Sequence, residues 1–281
     1  MTEASATAMP SAPRGADLHF LRLGPARPRA TILMLHGITE SRRYFSGPLG
    51  ALADHYELYI PDLPGFGLSP KPVMRYSMDV FRGAVRGFAV HHGLDQRPIW
   101  IFGHSLGSAI ALEYAAHYPD HLQGLVLLNL PRHFSPDEAH EIIQRGSPSY
   151  RRLLHEHSLR ASLGQLRRTG LRMSMRYARR LPWTVLADAR KFTFLSLTST
   201  LENCILNYRL DPTLARAPSV PTLLIHGERD QVAPLAHVEE LPRAYPWMRL
   251  LSIDGSGHHV LHTHGRAVRS AIRGFLENPG K

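Results

Sequence analysis

The chain is predicted to fold as an α/β protein, with a mostly parallel central sheet, helices on both of its faces and one inserted helical cap. Three observations carry that expectation. Short apolar runs, each the length of one buried strand, alternate with longer stretches of helical spacing, as parallel strands joined by crossover helices require. The alternation stops between Leu130 and Val220, where no strand-like run occurs. At 281 residues the chain is also long enough for one sizeable core plus a modest insertion.

Taken in order, residues 1–16, "MTEASATAMPSAPRGA", are small and polar with two prolines. They read as a disordered tail, lacking the basic start and apolar run of a secretory signal. "LHFLRLG" (18–24) predicts an antiparallel edge strand. Buried strands are predicted at "ATILMLHG" (30–37), "YELYIPD" (56–62), "PIWIFGHS" (98–105), "LQGLVLLNLP" (122–131), "PTLLIHGERD" (221–230) and "MRLLSIDGSGHH" (248–259). Helical spacing occupies 43–54, 77–92, 106–117, 235–244 and 265–277. Within the insertion, "SPDEAHEIIQRG" offers Ser135 as N-cap, Pro136 in the first turn, Glu138 to complete a capping box and Gly146 as the stop. Further helical stretches follow at 149–160, 162–180 and 184–208. The predicted organisation is a tail (1–16), a core (17–131 and 216–281) and a helical cap (132–215).

Composition narrows the class. The chain is 43% hydrophobic and 20% charged, ordinary for a globular protein, and no apolar stretch approaches the roughly 20 residues of a membrane span. Cys204 is the only cysteine. It excludes an internal disulfide or a zinc site built on several thiolates, and it fits a reducing cytoplasm. The formal charge is +10, and residues 145–191 hold twelve Arg and Lys against Glu156 and Asp188 alone, an excess equal to the whole net charge. The plain reading of that segment is a solvated charged face. Nucleic acid is not expected as a partner, because no recognisable module with interleaved aromatics accompanies the arginines.

The chemistry is concentrated in "FGHSLGSAI" (102–110). Ser105 stands between Gly103 and Gly107 where a predicted strand turns into a helix. A turn that sharp strains the serine backbone and brings strand and helix so close that side chains two before and two after would clash. The hydroxyl then sits above the carboxyl edge of the sheet, with the Leu106 amide facing any oxyanion formed there. A serine nucleophile needs a histidine base and an acid to orient it. Asp230, past the penultimate strand in "HGERDQVAP", and His258, past the last strand in "GSGHHVL", supply both on the ligand-binding edge of a parallel sheet. "LHGITES" ends the first parallel strand, so the amide of Ile38 is the candidate second oxyanion donor.

Other readings compete at each position. Asp230 alone is a plausible helix cap. His258, His259, His262 and His264 cluster at spacings that suit a zinc site, but no H-E-x-x-H pattern or third ligand group accompanies them, so no metal and no cofactor are expected. His258 is preferred to His259 because it directly follows Gly257, and Asp254 is the weaker alternative acid. Asp62, in "DLPGFGLS", reads as tying down a glycine-rich turn. Gly65-x-Gly67 is not a dinucleotide fingerprint, since Pro70 takes the third glycine's place.

Together these residues resemble the α/β-hydrolase superfamily, in its branch with a cap domain, over almost the whole chain from about residue 18. His36-Gly37 resembles its oxyanion segment, Asp62 to Ser69 its D-x-x-G-x-G-x-S loop, Gly103 to Gly107 its elbow, Gly227 to Pro234 its acid loop and Gly257-His258 its base. Two departures stand out. Ser108 replaces a second glycine after the elbow, and "HVLHTHGRA" after the base is basic where the family often has an acidic residue and proline. Serine at 105 argues against the family's haloalkane dehalogenases and epoxide hydrolases, which use aspartate there.

The resemblance and the residues imply a serine hydrolase that cleaves carboxylic esters or thioesters of a small-molecule acyl substrate. A second reading uses Arg168, Arg172, Arg176 and Arg179, spaced as one stripe on a cap helix, to dock an acidic acyl carrier or coenzyme A. The chain would then be a thioesterase or acyltransferase. A third is a non-catalytic ligand-binding protein on the same fold.

Overall fold

The computed structural model describes residues 14–146, 188 and 191–279. Seven strands form one sheet: β1 (Phe20–Leu23), β2 (Thr31–Leu35), β3 (Glu57–Pro61), β4 (Ile99–His104), β5 (Leu122–Leu128), β6 (Thr222–Gly227) and β7 (Met248–Ile253). Their order is β1-β3-β2-β4-β5-β6-β7. β1 pairs antiparallel with β3, in register Phe20 to Pro61, and every other pair is parallel. The predicted edge strand and all six predicted parallel strands are present.

The helices among the described residues are α1 (Arg43–Ser46), α2 (Met78–His91), α3 (Leu106–His117), α4 (Pro136–Gly146), α5 (Phe194–Thr200), α6 (Asp211–Leu214), α7 (Leu241–Ala244), α8 (Val260–Thr263) and α9 (Gly265–Glu277). Two predicted helices are shorter than expected. The one over 43–54 is split into α1 and a 3-10 turn, Gly50–Asp54, because Pro48 has no N–H to continue the ladder and disfavours helix at Gly47. The one over 235–244 reduces to a 3-10 turn, Leu235–His237, and to α7, which restarts with Pro242 in its first turn.

Strand alternation builds two cores. Leu33, Leu35, Ile101, Leu125 and Leu127 face α2 and α3 and pack with Phe81, Phe88 and Ile110. Ile32, Met34, Trp100, Phe102 and Val126 face the other way, against Tyr44 and Phe45 of α1 and Val268, Ile272 and Phe275 of α9. These side chains are almost wholly buried, and each contributes about 1.5–3 kcal/mol of hydrophobic stabilisation. α2 begins on Ser77, whose hydroxyl accepts the N–H of Val80.

The predicted tail ends earlier than residue 16. Gly15–Asp17 form a 3-10 turn, and Gly15 lies so close to α2 that a Cβ there would meet the Phe88 nitrogen at 1.8 Å. In the predicted cap, α4 spans the capped segment. Ser135 Oγ accepts the N–H of Glu138 at 3.0 Å, while the Glu138 carboxylate takes the N–H of Phe134, one residue before the expected partner. The expected helix over 184–208 is, in its described part, α5 followed by a π-helical turn, Leu201–Leu206. The stretches at 149–160 and 162–180, with the arginine stripe, lie outside the described residues.

At the turn from β4 into α3 the backbones also approach closely: a Cβ on Gly107 would stand 1.9 Å from the carbonyl oxygen of Leu35. Neither backbone can yield. Gly107→Ala is therefore expected to destabilise the chain by at least the upper end of the ~1–3 kcal/mol of overpacking. Gly83→Ala, on an exposed face of α2 with nothing within 4 Å, should be neutral or stabilising by up to about 1 kcal/mol. Denaturant midpoints of the two variants check the contrast.

Candidate active site

The parallel strands place their carboxyl ends on one rim, and the sequence-predicted residues meet there. Ser105 follows β4 with φ 50° and ψ −120°, a conformation costly for a residue with a Cβ. Its N–H donates to the carbonyl of Leu128 at 2.9 Å. Ser108, the residue that departs from the family pattern, is fully buried and donates its hydroxyl to the same carbonyl at 2.9 Å. The strained turn is thus sewn to the end of β5.

Ser105 Oγ donates to His258 Nε2 at 2.9 Å, and His258 Nδ1–H donates to Asp230 Oδ2 at 2.8 Å. The other Asp230 oxygen accepts the N–H groups of Val232 and Ala233 at 2.8 and 2.9 Å. Asn129 adds a fourth donor, its amide reaching Asp230 Oδ2 at 2.7 Å. Burial pushes the Asp230 pKa up, but the His258 charge, the hydrogen bond from His258 and the backbone donors outweigh it, so the carboxyl is held well below its usual range. Burial pulls the His258 pKa down, but the charge and hydrogen bond of Asp230 outweigh that, and the imidazole lies above its ordinary 6.5.

The signs differ for stability. The His258 contribution is complete below its unfolded value and lost as pH rises through the folded one. The Asp230 contribution is complete above its ordinary 3.8 and lost as pH falls through its folded value.

Ile38 and Leu106 flank the serine from β2 and from the first turn of α3. Among the described residues neither N–H has an acceptor. The N–H of Gly37 is held by Glu40 Oε2 at 2.6 Å, and Thr39 turns the chain back at φ 64°. His36 fixes the same segment from behind: its Nε2 accepts the N–H of Leu63 at 2.9 Å and its Nδ1–H donates to the Gly37 carbonyl at 2.8 Å.

Three contributors escaped the sequence reading. His104 Nε2–H donates to the carbonyl of His258 at 2.8 Å, and its Nδ1 faces Glu40 at 3.0 Å. Burial raises the Glu40 pKa and lowers that of His104. That pair links the segment that carries Ile38 to the backbone of His258. Asn129, at φ 49°, is the third. The available signals were a carboxylate inside "HGITES", a histidine inside the elbow, and a polar residue ending the apolar run "LVLLN".

The competing residues are resolved by position. His259 is turned from the serine toward Glu40, 3.5 Å away, and burial holds its pKa down to about 3. Asp254 is exposed. The four histidines considered for zinc do not form one ligand set, since His258 is engaged with Ser105 and Asp230 and His264 bonds to Thr263. Asp62 accepts the backbone N–H groups of Arg42 and Leu68 and the Arg42 guanidinium at 2.6–2.8 Å, a structural role.

A nucleophile-type serine, a histidine and a carboxylate on successive strand-end loops, above a parallel sheet, define a hydrolase-type rim. The sequence profile of the alpha/beta hydrolase fold matches residues 30–265, and the chain belongs to the α/β-hydrolase family. It is 28% identical over 265 residues to a pimeloyl-[acyl-carrier protein] methyl ester esterase of Xanthomonas oryzae, covering 90% of this chain and 95% of that one. Among solved structures it is similar to a hydrolase from Pseudomonas aeruginosa, with TM-score 0.73, 21% identity and coverage of 92% and 94%. It is also similar to the enol-lactonase of Burkholderia xenovorans, with TM-score 0.71, 20% identity and coverage of 93% and 96%. Among the described residues no helix is long and apolar enough to cross a membrane.

Removing the carboxylate exposes the balance at the imidazole. In Asp230→Asn the His258 pKa is expected to fall from above 6.5 to below it, because burial then prevails. Titration of the imidazole nitrogens by NMR in both proteins checks the crossing.

Proposed function

We propose that this α/β-hydrolase is a serine hydrolase of carboxylic esters or thioesters, working through an acyl-enzyme on Ser105. The observation that carries the reading is the unbroken contact from Ser105 through His258 to Asp230, 2.9 and 2.8 Å, beside two amides that have no acceptor of their own. His258 Nε2 takes the proton as Ser105 Oγ attacks the acyl carbon. The amides of Ile38 and Leu106 receive the oxyanion, and the α3 dipole adds to that stabilisation. His258 then gives the proton to the departing alkoxide or thiolate. Water attacks the acyl-enzyme with His258 again as base, and Asp230 stays ionised throughout, holding the imidazole in the required tautomer.

A second reading has a specific support. A relative bears the name of an esterase acting on an acyl group joined to a carrier protein, and twelve basic residues lie between 145 and 191. An acidic carrier or the phosphates of coenzyme A would complement that charge. On this reading carrier-bound or coenzyme A esters and thioesters react faster than simple ones, and added salt erases the advantage. Equal rates at all ionic strengths remove it. The non-catalytic alternative is disfavoured by the aligned Ser105, His258 and Asp230 contacts.

Ser105→Ala should abolish labelling by a fluorophosphonate probe and lower kcat for ester substrates by roughly 10⁴-fold or more. Labelling that persists in the variant overturns the assignment. In the wild type, kcat/KM should fall as pH drops through the raised His258 pKa, above 6.5, since the base must be neutral to act. A rate-versus-pH profile with no acidic limb in that region contradicts it.

A further inference from the structure

We propose that His133, Glu138 and His237 form a metal-ion site of zinc type that joins the first cap helix to the loop following Asp230. The three donor atoms lie within 4.8 Å of one another. His133 is only 3% exposed to solvent, and among the described residues neither of its ring nitrogens has a partner. A buried imidazole left that way is costly, and a coordinated cation would satisfy one nitrogen.

The other two residues are prepared as ligands. His237 Nδ1–H donates to the carbonyl of Arg132 at 2.7 Å, which fixes the tautomer and leaves the Nε2 lone pair facing Glu138 Oε1 at 3.5 Å. That separation is long for a hydrogen bond. It matches two donors on one ion, because bonds of about 2.1 Å at the tetrahedral angle set their ends roughly 3.4 Å apart. The second Glu138 oxygen is occupied by the N–H of Phe134 at 2.5 Å, so the carboxylate is oriented as well. The imidazole rings of His133 and His237 stand at 89° with centroids 6.2 Å apart. The neighbouring Arg132 guanidinium is neutralised by Asp211 at 2.7 Å and Glu240 at 2.8 Å. Two imidazoles and one carboxylate suit zinc or a similar transition metal rather than calcium or magnesium, and a fourth position is left for water.

The other close group of donors, Glu40, His104 and His259, is already accounted for. His104 and Glu40 sit at hydrogen-bond distance and Glu40 holds the Gly37 amide. At His133 no such partner exists among the described residues. The site bridges α4, where the cap begins, and the segment seven residues past Asp230, so metal binding stabilises the junction between cap and core. This inference is independent of the role assigned to Ser105.

The test uses the full-length, untagged chain stripped with a chelator and titrated with Co²⁺. The expected result is one equivalent per chain with visible d–d bands of tetrahedral intensity, displaced by Zn²⁺, and a rise in melting temperature. Glu138→Gln and His237→Ala should each weaken Co²⁺ binding by about 100-fold or more. His259→Ala should bind as the wild type does. Should Glu138→Gln fail to fold, His133→Leu, which keeps the volume and removes the donor, replaces it. The proposal is overturned if the wild type binds no better than these variants, or if the tetrahedral spectrum survives in them and disappears in His259→Ala.

Discussion

The site depends on one close passage of backbone, where the first turn of α3 crosses the end of β2 with only glycine at the contact. A Cβ on Gly107 would fall 1.9 Å from the Leu35 carbonyl, and one on Gly103 would fall 2.4 Å from the Gly107 carbonyl. With both absent, the chain reverses within two residues and Ser105 is forced to φ 50°. The sheet order then distributes everything else. β4 lies between β2 and β5, so Asn129 and the segment that carries Ile38 are the immediate neighbours of the serine, while β6 and β7 bring Asp230 and His258 from one and two strands further on. The strain at Ser105 is held by the hydrogen bonds that Leu128 accepts from the Ser105 amide and the Ser108 hydroxyl.

The pKa values of two buried carboxyl groups on this rim are shifted in opposite directions. Asp230 has two backbone donors, the Asn129 amide and His258, and remains ionised. Glu40 has one backbone donor, and its histidine neighbours are themselves kept neutral by burial, so its own burial prevails and its pKa rises. Their difference lies in donor count rather than in depth. The Asp230 carboxylate lies on the side of His258 away from the serine. Glu40 also raises the His258 pKa, as a smaller contribution than that of Asp230.

Most of this arrangement was legible in the chain because its signals are local. A buried strand is a contiguous apolar run, and the elbow, acid loop and base each carry their glycine or strand end with them. The helices over 43–54 and 235–244 misled because spacing was weighed above Pro48 and Pro242, which interrupt them. The tail was drawn too long because Gly15 gains its place only by contact with α2. Glu40, His104, Asn129 and the triplet at His133 are of another kind. Their roles arise from which strand ends become neighbours, and nothing in the spacing of residues 40, 104 and 258, or of 133 and 237, announces it.

The loop read from sequence as merely structural also holds α5 and the residues just before it. Asp62 organises the turn from beneath, accepting from Arg42 and Leu68, and a Cβ on Gly67 would fall 2.3 Å from its carboxyl carbon. On the upper side of that turn, Ser196 donates to the Gly65 carbonyl at 2.9 Å, and Ser199 accepts the N–H of Tyr76 at 2.9 Å. Phe192 packs beside Phe66, with ring centroids 6.4 Å apart. Farther along the same rim Asp188 takes the Ser41 hydroxyl and Lys191. Ser41 and Arg42 follow directly on the segment that carries Ile38. α5 is thus tied by hydrogen bonds to Gly65 and Tyr76, and Asp62 ties the same loop to Arg42, four residues past Ile38. Hydrogen bonds fix angle as well as distance, so these contacts set the orientation of α5 on the loop as well as its separation from it.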